Sequence, residues 1–241
     1  MFVFWNLDYF YPMLIHELNT NLLDHLLEFV SENKRNKFDE IIQNRTRYLT
    51  IVLEDIYQPH NASAVLRSCD CFGIQDVHII ENSNRYEVNP DVALGSSKWL
   101  SLYKYNSYAH NTKACLEALR DKGYRIVATT PHEKGCLIDD LPLDQKTALV
   151  FGTEMRGLTE QALELSDDFV KIPMYGFTES FNISVSAAIS LYKLSEKLRK
   201  SDINWRLSEE EITEVKLSWA RQVVKNAALI EARFQKLNKP E

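Results

Sequence analysis

No stretch of this 241-residue chain is a continuous apolar run of the roughly 18 residues that a membrane-spanning helix needs. The sequence also lacks the two glycine-rich arrangements that cradle phosphates, G-x-x-x-x-G-K-[ST] and G-x-G-x-x-G. It lacks the G-x-S-x-G elbow of a serine hydrolase as well. Gly152-x-Glu154-x-x-Gly157 has the wrong spacing for a phosphate loop, and its carboxylate would repel a phosphate. The missing motifs set aside nucleoside-triphosphatase and serine-hydrolase readings. The four cysteines, Cys69, Cys71, Cys115 and Cys136, show neither zinc spacing nor a disulfide framework. They read as structural thiols of a protein in a reducing cytoplasm. Met1 to Tyr11 is aromatic-rich but has no basic segment and no small-residue cleavage site, so it does not read as a signal peptide. Met13 opens a more ordinary helical sequence, and residues 1–12 read as an upstream false start or a tail. Without a secretion signal, the glycosylation-like triplets at Asn61 and Asn182 are chance matches. There is no internal repeat and no low-complexity tract.

Basic charge is scarce too. The formal net charge is −6, which argues against a strongly basic nucleic-acid binder. Its distribution is uneven, however. Residues 193–241 hold 11 Lys+Arg against 8 Asp+Glu, leaving −9 on the remainder. A basic end on an acidic body can still meet phosphate, because local potential matters more than the total.

Hydrophobic content of 45% suits a globular chain with a full core. Leu14, Leu18, Leu22, Leu26, Phe29 and Val30 recur at helical spacing, which predicts helix over 13–47. Leu49–Leu53, Val77–Ile80, Arg125–Thr129, Ala148–Phe151 and Phe169–Ile172 read as buried strands. Asn61 is a candidate N-cap for a helix over 62–71, closed by Gly73. Further helices are expected over 107–121, 159–166 and 183–199, with an irregular stretch over 82–99. Ser208-Glu209-Glu210-Glu211 opens a long amphipathic helix to about 237. Strands alternating with helices imply an α/β fold, a mostly parallel sheet with helices on both faces. Three regions follow: an N-terminal helical extension (1–47), the α/β domain (48–200) and a C-terminal basic amphipathic helix (201–241).

Ligands of such sheets bind beyond the carboxyl ends of the strands. Thr130, Gly152 and the 173–181 loop each follow a strand and should share that edge. Two loops there, and a third before the helix at 62–71, carry polar residues without a familiar motif: Asn61 and Arg67, Glu154, and Ser180 with Asn182. From the residues alone, an internal salt bridge with two helix caps explains them as well as a composite site does.

Three segments in order resemble the three motifs of the SpoU/TrmH branch of the SPOUT methyltransferases. They are Pro59-His60-Asn61-Ala62-Ser63-Ala64-Val65-Leu66-Arg67, Val150-Phe151-Gly152-Thr153-Glu154-Met155-Arg156-Gly157-Leu158, and Ile172-Pro173-Met174 through Ser180-Phe181-Asn182-Ile183-Ser184-Val185-Ser186. The match covers roughly 45–200. The resemblance implies a deep C-terminal trefoil knot, which periodicity could not show. It implies S-adenosylmethionine as cofactor, held by backbone groups of Thr130, Gly152, Ile172 and Phe181; Phe181 stands where leucine is common in the family. It implies methylation of a ribose 2′-hydroxyl in RNA, and Pro59-His60-Asn61 and Gly95-Ser96-Ser97-Lys98-Trp99 resemble a subgroup acting on guanosine 18 in the D-loop of tRNA.

By the same resemblance Arg67 is catalytic. The family proposal makes it the base, but a guanidinium resists deprotonation, so stabilising an alkoxide and gripping a phosphate suits it better. Asn61 and Asn182 would orient it and the hydroxyl, Glu154 would position the second loop or pair across a dimer, and Ser180 would hold the third loop or the nucleotide. The resemblance further implies a cytoplasmic homodimer that borrows the arginine from its neighbour and needs no metal. Lys34, Arg35, Lys37, Arg45, Arg47, Lys216, Arg221 and Lys225 become a candidate tRNA grip. Methylation of ribosomal RNA and a non-catalytic RNA-binding role remain the alternatives.

Overall fold

The computed structural model describes the backbone of residues 7–237 apart from 88, 132, 154 and 155, and side chains from residue 16 onward apart from those positions and residue 90. The chain divides into two units: Thr46–Arg206, and the two ends Met1–Arg45 and Leu207–Glu241.

The larger unit runs from β1 (Leu49–Glu54) through α3 (Pro59–Phe72), β2 (Asp76–Ile80), α4 (Pro90–Ala93), a short 3-10 turn at Ser96–Lys98, β3 (Ser101–Tyr105) and α5 (Thr112–Asp121). It continues through β4 (Arg125–Thr129), β5 (Cys136–Leu137), β6 (Thr147–Phe151), α6 (Glu160–Glu164), β7 (Asp168–Lys171) and α7 (Ile183–Arg199). The smaller unit holds α1 (Leu7–Leu27), α2 (Glu32–Ile42), α8 (Glu209–Val223) and α9 (Ala227–Leu237).

All seven strands are parallel, in the order β3-β2-β1-β6-β4-β7-β5. The central strands β1, β2 and β6 are buried at every position, as a parallel sheet covered on both faces requires. Leu49, Ile51 and Leu53 of β1 join Leu149 and Phe151 of β6 in the core that also takes α3 and α7. Val52, Ala148 and Val150 point the other way, into the core with Cys115, Leu116 and Leu119 of α5. On α7 the buried set Ile183, Ala187, Leu191, Leu194 and Leu198 recurs at helical spacing. Each large side chain there stabilises the layer by about 1.5–3 kcal/mol. His78 of β2 is buried with its ring stacked on Tyr103, 4.8 Å between centroids. Burial first, and the Lys122 ammonium second, push its pKa down to about 3, so it is neutral.

Several sequence expectations meet a different outcome. Helix α1 begins at Leu7, inside the stretch read as a tail, and residues 1–6 lie outside the described residues. The expected continuous helix over 13–47 breaks before α2, where Ser31 takes an extended conformation. Asn61 is not a cap but a buried residue inside α3, because Pro59 takes the first helical position and Gln58 the cap. The helix expected from 107 starts at Thr112. Strand β3 falls beyond the expected irregular stretch, and β5 is two residues long. The long C-terminal helix breaks at Val224–Asn226, where Val224 turns to β conformation and Asn226 has φ of +60°.

The two ends, which the sequence presents as separate flanks, pack on each other. Leu22, Leu23, Leu26 and Val30 meet Leu217, Ala220, Val224 and Ala227. Ser208 and Glu211 form a full capping box at the start of α8. Much of the expected basic grip is engaged within its own unit. Arg45 is buried and stacks over Trp219 at 5.4 Å. Arg47 pairs with Asp76 at 3.2 Å. Lys216 pairs with Asp39 at 2.6 Å, and Arg221 forks onto Glu231 at 2.8 and 3.1 Å. Arg35, Lys37 and Lys225 remain exposed.

Candidate active site

Because β6, β4 and β7 are neighbours and parallel, their carboxyl ends open at one place. The loops leaving them enclose a cavity of about 330 Å³. Thr129, Thr130 and Pro131 come from the first loop, Phe151–Thr153 and Arg156–Leu158 from the second, and Val170–Ile172, Met174 and Glu179–Phe181 from the third. Ile183, Ser186 and Ser190 of α7 complete it, at helical spacing of three and four. The volume lies at the lower end of the roughly 300–1,000 Å³ typical of small-molecule sites.

Each loop has its own physical reason for holding shape. Thr130 donates its backbone N–H to Val170 O at 3.1 Å, and Thr129 Oγ1 donates to Val150 O at 2.7 Å. The second loop is a tight hairpin in which Thr153 and Gly157 exchange two backbone hydrogen bonds, both 2.9 Å. Gly152 is required there, since a Cβ at its position would collide with the Gly157 carbonyl and the Leu158 nitrogen. Gly157 adopts φ of +68°, the left-handed conformation that closes the hairpin. The third loop ends where Asn182 caps α7. Asn182 Oδ1 accepts from the Ser184 N–H at 2.9 Å and from Ser184 Oγ at 2.6 Å.

That cap also fixes the Asn182 amide, whose Nδ2 donates to Asn61 Oδ1 at 3.3 Å. Asn61 in turn donates to Gln58 Oε1 at 3.2 Å. The starts of α3 and α7, 121 residues apart in sequence, are thereby joined by their polar side chains. The turn before α3 is pinned by Asp55 (φ +56°), whose Oδ1 accepts the N–H groups of Asn82, Ser83 and Asn84 at 3.1, 2.7 and 2.8 Å. Such a concentration of donors on one carboxylate offsets the strain of a left-handed aspartate.

The sequence-derived site residues distribute as follows. Thr130, Gly152, Ile172, Phe181 and Ser180 all line the cavity. Asn61 and Asn182 are bonded to each other and are not among the lining residues, although Asn182 lies in sequence between Phe181 and Ile183, which are. Arg67 lies exposed on α3 and is not among the described residues that line the cavity. It forms no hydrogen bond or ion pair among the described residues. Glu154 lies outside the described residues.

Sequence reasoning missed Glu54. It is buried at the end of β1 and accepts from Thr159 N at 2.9 Å, Thr159 Oγ1 at 2.7 Å and Thr112 Oγ1 at 2.6 Å. It anchors the far end of the second loop, a role expected of Glu154. A charged residue closing an otherwise apolar strand, Leu49-Thr50-Ile51-Val52-Leu53-Glu54, was the available signal. Arg156, Lys171, Glu179 and Ser190 were missed as cavity residues too.

The cavity is thus built from three strand ends and lined by both polar and apolar residues. Residues 48–192 match the model of the SpoU rRNA Methylase family. The chain belongs to that family. A family relative from Borreliella burgdorferi, named tRNA (guanosine(18)-2'-O)-methyltransferase, is 46% identical over 206 residues, spanning 86% of this chain and 93% of its own. The crystal structure of the Aquifex aeolicus TrmH/SpoU tRNA modifying enzyme superposes with a TM-score of 0.72 at 28% identity, covering 80% of this chain and 98% of that one. The SpoU methyltransferase AviRb from Streptomyces viridochromogenes, solved in complex with the cofactor AdoMet, shares the fold at 23% identity, with a TM-score of 0.53 over 67% of this chain and 62% of that one. Within the SpoU family fold, the cavity here lies where the second and third sequence motifs converge, and Asn61 ties the first motif to the third.

Proposed function

We propose that this protein transfers the methyl group of S-adenosylmethionine to a ribose 2′-hydroxyl of tRNA, at guanosine 18 of the D-loop. The observation that carries the reading is the three-loop cavity in a SpoU-family chain 46% identical to a relative named for that reaction. The residues present fit the cofactor. Gly152 leaves the second loop close to the cavity, the interior is apolar at Val170, Phe151 and Ile183, and Lys171, Arg156 and Glu179 supply charge at more open positions. When bound, S-adenosylmethionine supplies an electrophilic sulfonium methyl group, a transfer that needs no metal.

The chain's own residues then have three tasks. Backbone groups of Thr130, Gly152, Ile172 and Phe181 hold the cofactor. The Asn61–Asn182 pair orients the ribose hydroxyl and the approaching guanidinium. Arg67 stabilises the alkoxide that forms as the hydroxyl loses its proton, and grips the neighbouring phosphate; its high pKa suits it to that role rather than to a base. Ser180 and Glu154 steady the third and second loops.

Arg67 stands exposed on α3 rather than on the cavity wall, which supports a homodimer in which one protomer's arginine serves its partner's cavity. The path of α7 supports the trefoil knot. It leaves β7, yet packs on α3, which follows β1, three strands away in the sheet, so the chain crosses back past the loops leaving β4 and β6. The unit Thr46–Arg206 is then the catalytic domain, and the terminal helices with Arg35, Lys37 and Lys225 contribute charge for tRNA. The exposed aromatic side chains of Tyr175 and Phe177, on the loop that walls the cavity, offer faces on which unpaired bases stack. No helix among the described residues is long and apolar enough to cross a membrane; the proposed place of work, the cytoplasm, follows from tRNA as the proposed substrate.

Incubation with labelled S-adenosylmethionine and tRNA, followed by nuclease digestion and mass spectrometry, tests the reading. The expected product is 2′-O-methylguanosine mapping to position 18, abolished by Arg67→Ala. Methylation of ribosomal RNA but not tRNA would refute the substrate, and absence of methyl transfer to any RNA would refute the reaction.

A further inference from the structure

The inner end of the cavity contains a feature that no motif explains. Ser190 is 1% exposed and lines the cavity from the third turn of α7. Its hydroxyl is fully buried and forms no hydrogen bond among the described residues. A buried serine in a helix ordinarily returns its hydroxyl to the carbonyl four residues back. Ser63 and Ser68 of α3 do so here. An orphan hydroxyl costs free energy unless something outside the protein chain meets it.

We propose that Ser190 is a cofactor-binding residue whose hydroxyl bonds the adenine ring of the bound cofactor. The inference rests on the cofactor reading above and adds a side-chain contact to a site otherwise made of backbone. The gradient of burial along the cavity sets which end of the ligand reaches Ser190. Phe151, Val170, Ile183 and Ser190 are buried, whereas Arg156, Glu179, Ser180 and Phe181 are exposed. The charged amino-acid end of the cofactor belongs with the exposed, charged residues, and the flat ring belongs between the buried apolar ones. Ser190 is the sole polar side chain among those four buried residues, and because its hydroxyl is fully buried the contact calls for a turn about the Cα–Cβ bond. A hydroxyl both donates and accepts, so it can serve either a ring nitrogen or the exocyclic amine of adenine. Leucine or alanine would close the same helix face equally well but would leave the ring edge without a partner.

The test is calorimetric titration of the full-length protein with S-adenosylhomocysteine, alongside thermal melts without ligand. Ser190→Ala should raise the dissociation constant about five- to tenfold, the worth of one neutral hydrogen bond. The ligand-free melting temperature should stay level or rise, because an unpaired hydroxyl has been removed. Adenosine alone should lose the same factor. Ser190→Cys, close in size but a weak hydrogen-bond former, should also bind weakly. Binding by Ser190→Ala within twofold of wild type overturns the inference, and so does a cysteine variant that binds like wild type, which would make the role one of shape. Failure of the wild-type protein to bind S-adenosylhomocysteine overturns the cofactor reading itself, a result distinct from either.

Discussion

Replacing Gly152 with alanine adds one methyl group at the most crowded point of the cavity wall. The new carbon would lie about an ångström inside the roughly 3.5 Å at which non-bonded atoms rest comfortably, against the Gly157 carbonyl and the Leu158 nitrogen. Both are backbone atoms, so no side chain can swing aside. Relief requires the two arms of the hairpin to part, which breaks the pair of 2.9 Å hydrogen bonds between Thr153 and Gly157. At about 1 kcal/mol net for each bond, the closed loop loses about 2 kcal/mol, equivalent to about 30-fold in cofactor affinity. Gly157→Ala is the control on the same hairpin. Gly157 has open space around it, so alanine there meets only the cost of its +68° φ, about 1 kcal/mol or about fivefold. Titration of both variants with S-adenosylhomocysteine measures the difference, and circular dichroism confirms that the sheet is intact. Equal losses in the two variants, or Gly152→Ala binding within threefold of wild type, would refute the steric argument.

Stability should fall with acid through His78. Its pKa is pushed from 6.5 to about 3, so the unfolded chain takes up a proton below pH 6.5 while the folded chain does not. The contribution is complete above pH 6.5 and is lost as pH falls toward 3, at about 1.4 kcal/mol per pH unit, or about 2 kcal/mol by pH 5. Urea unfolding at pH 7.5 and 5.0 should show that drop in wild type and a smaller one in His78→Gln; equal drops would remove His78 as the cause. Asn182→Ala removes both the α7 cap and the bond to Asn61. It should cost about 1 kcal/mol of stability by loss of the cap, while kcat falls by a larger factor than KM rises. Asn182→Ser, which can still cap, should recover the stability but not the rate, and recovery of both would reduce Asn182 to a structural role.

How far the chain could be read without coordinates depends on where each signal resides. Buried strands such as Leu49–Leu53 and Ala148–Phe151 announce themselves, because a strand covered on both faces must be apolar throughout. Strand β3, Ser101-Leu102-Tyr103-Lys104-Tyr105, lies at the sheet edge with partly exposed positions and has no such run. Helix α7 was legible from end to end, since a polar cap and one apolar stripe mark it locally. The break at Asn226 left no proline or glycine to read. Arg45, Arg47, Lys216 and Arg221 looked like free cations because their partners, Trp219, Asp76, Asp39 and Glu231, lie 10 to 177 residues away or were not visible as partners in the sequence.

The sequence by itself determined the α/β class and the three motifs; Thr130 and Gly152 followed from their positions just after a strand, whereas Ile172, Ser180 and Phe181 followed from the resemblance of the third motif. Only the tertiary structure decided that β6, β4 and β7 are neighbours, that Asn61 meets Asn182, that Arg67 is away from the cavity wall, and that Ser190 is buried without a partner. The reason is that strand order in a parallel sheet is set by long crossovers. Those pairings join segments remote in sequence, and no local pattern of residues encodes them.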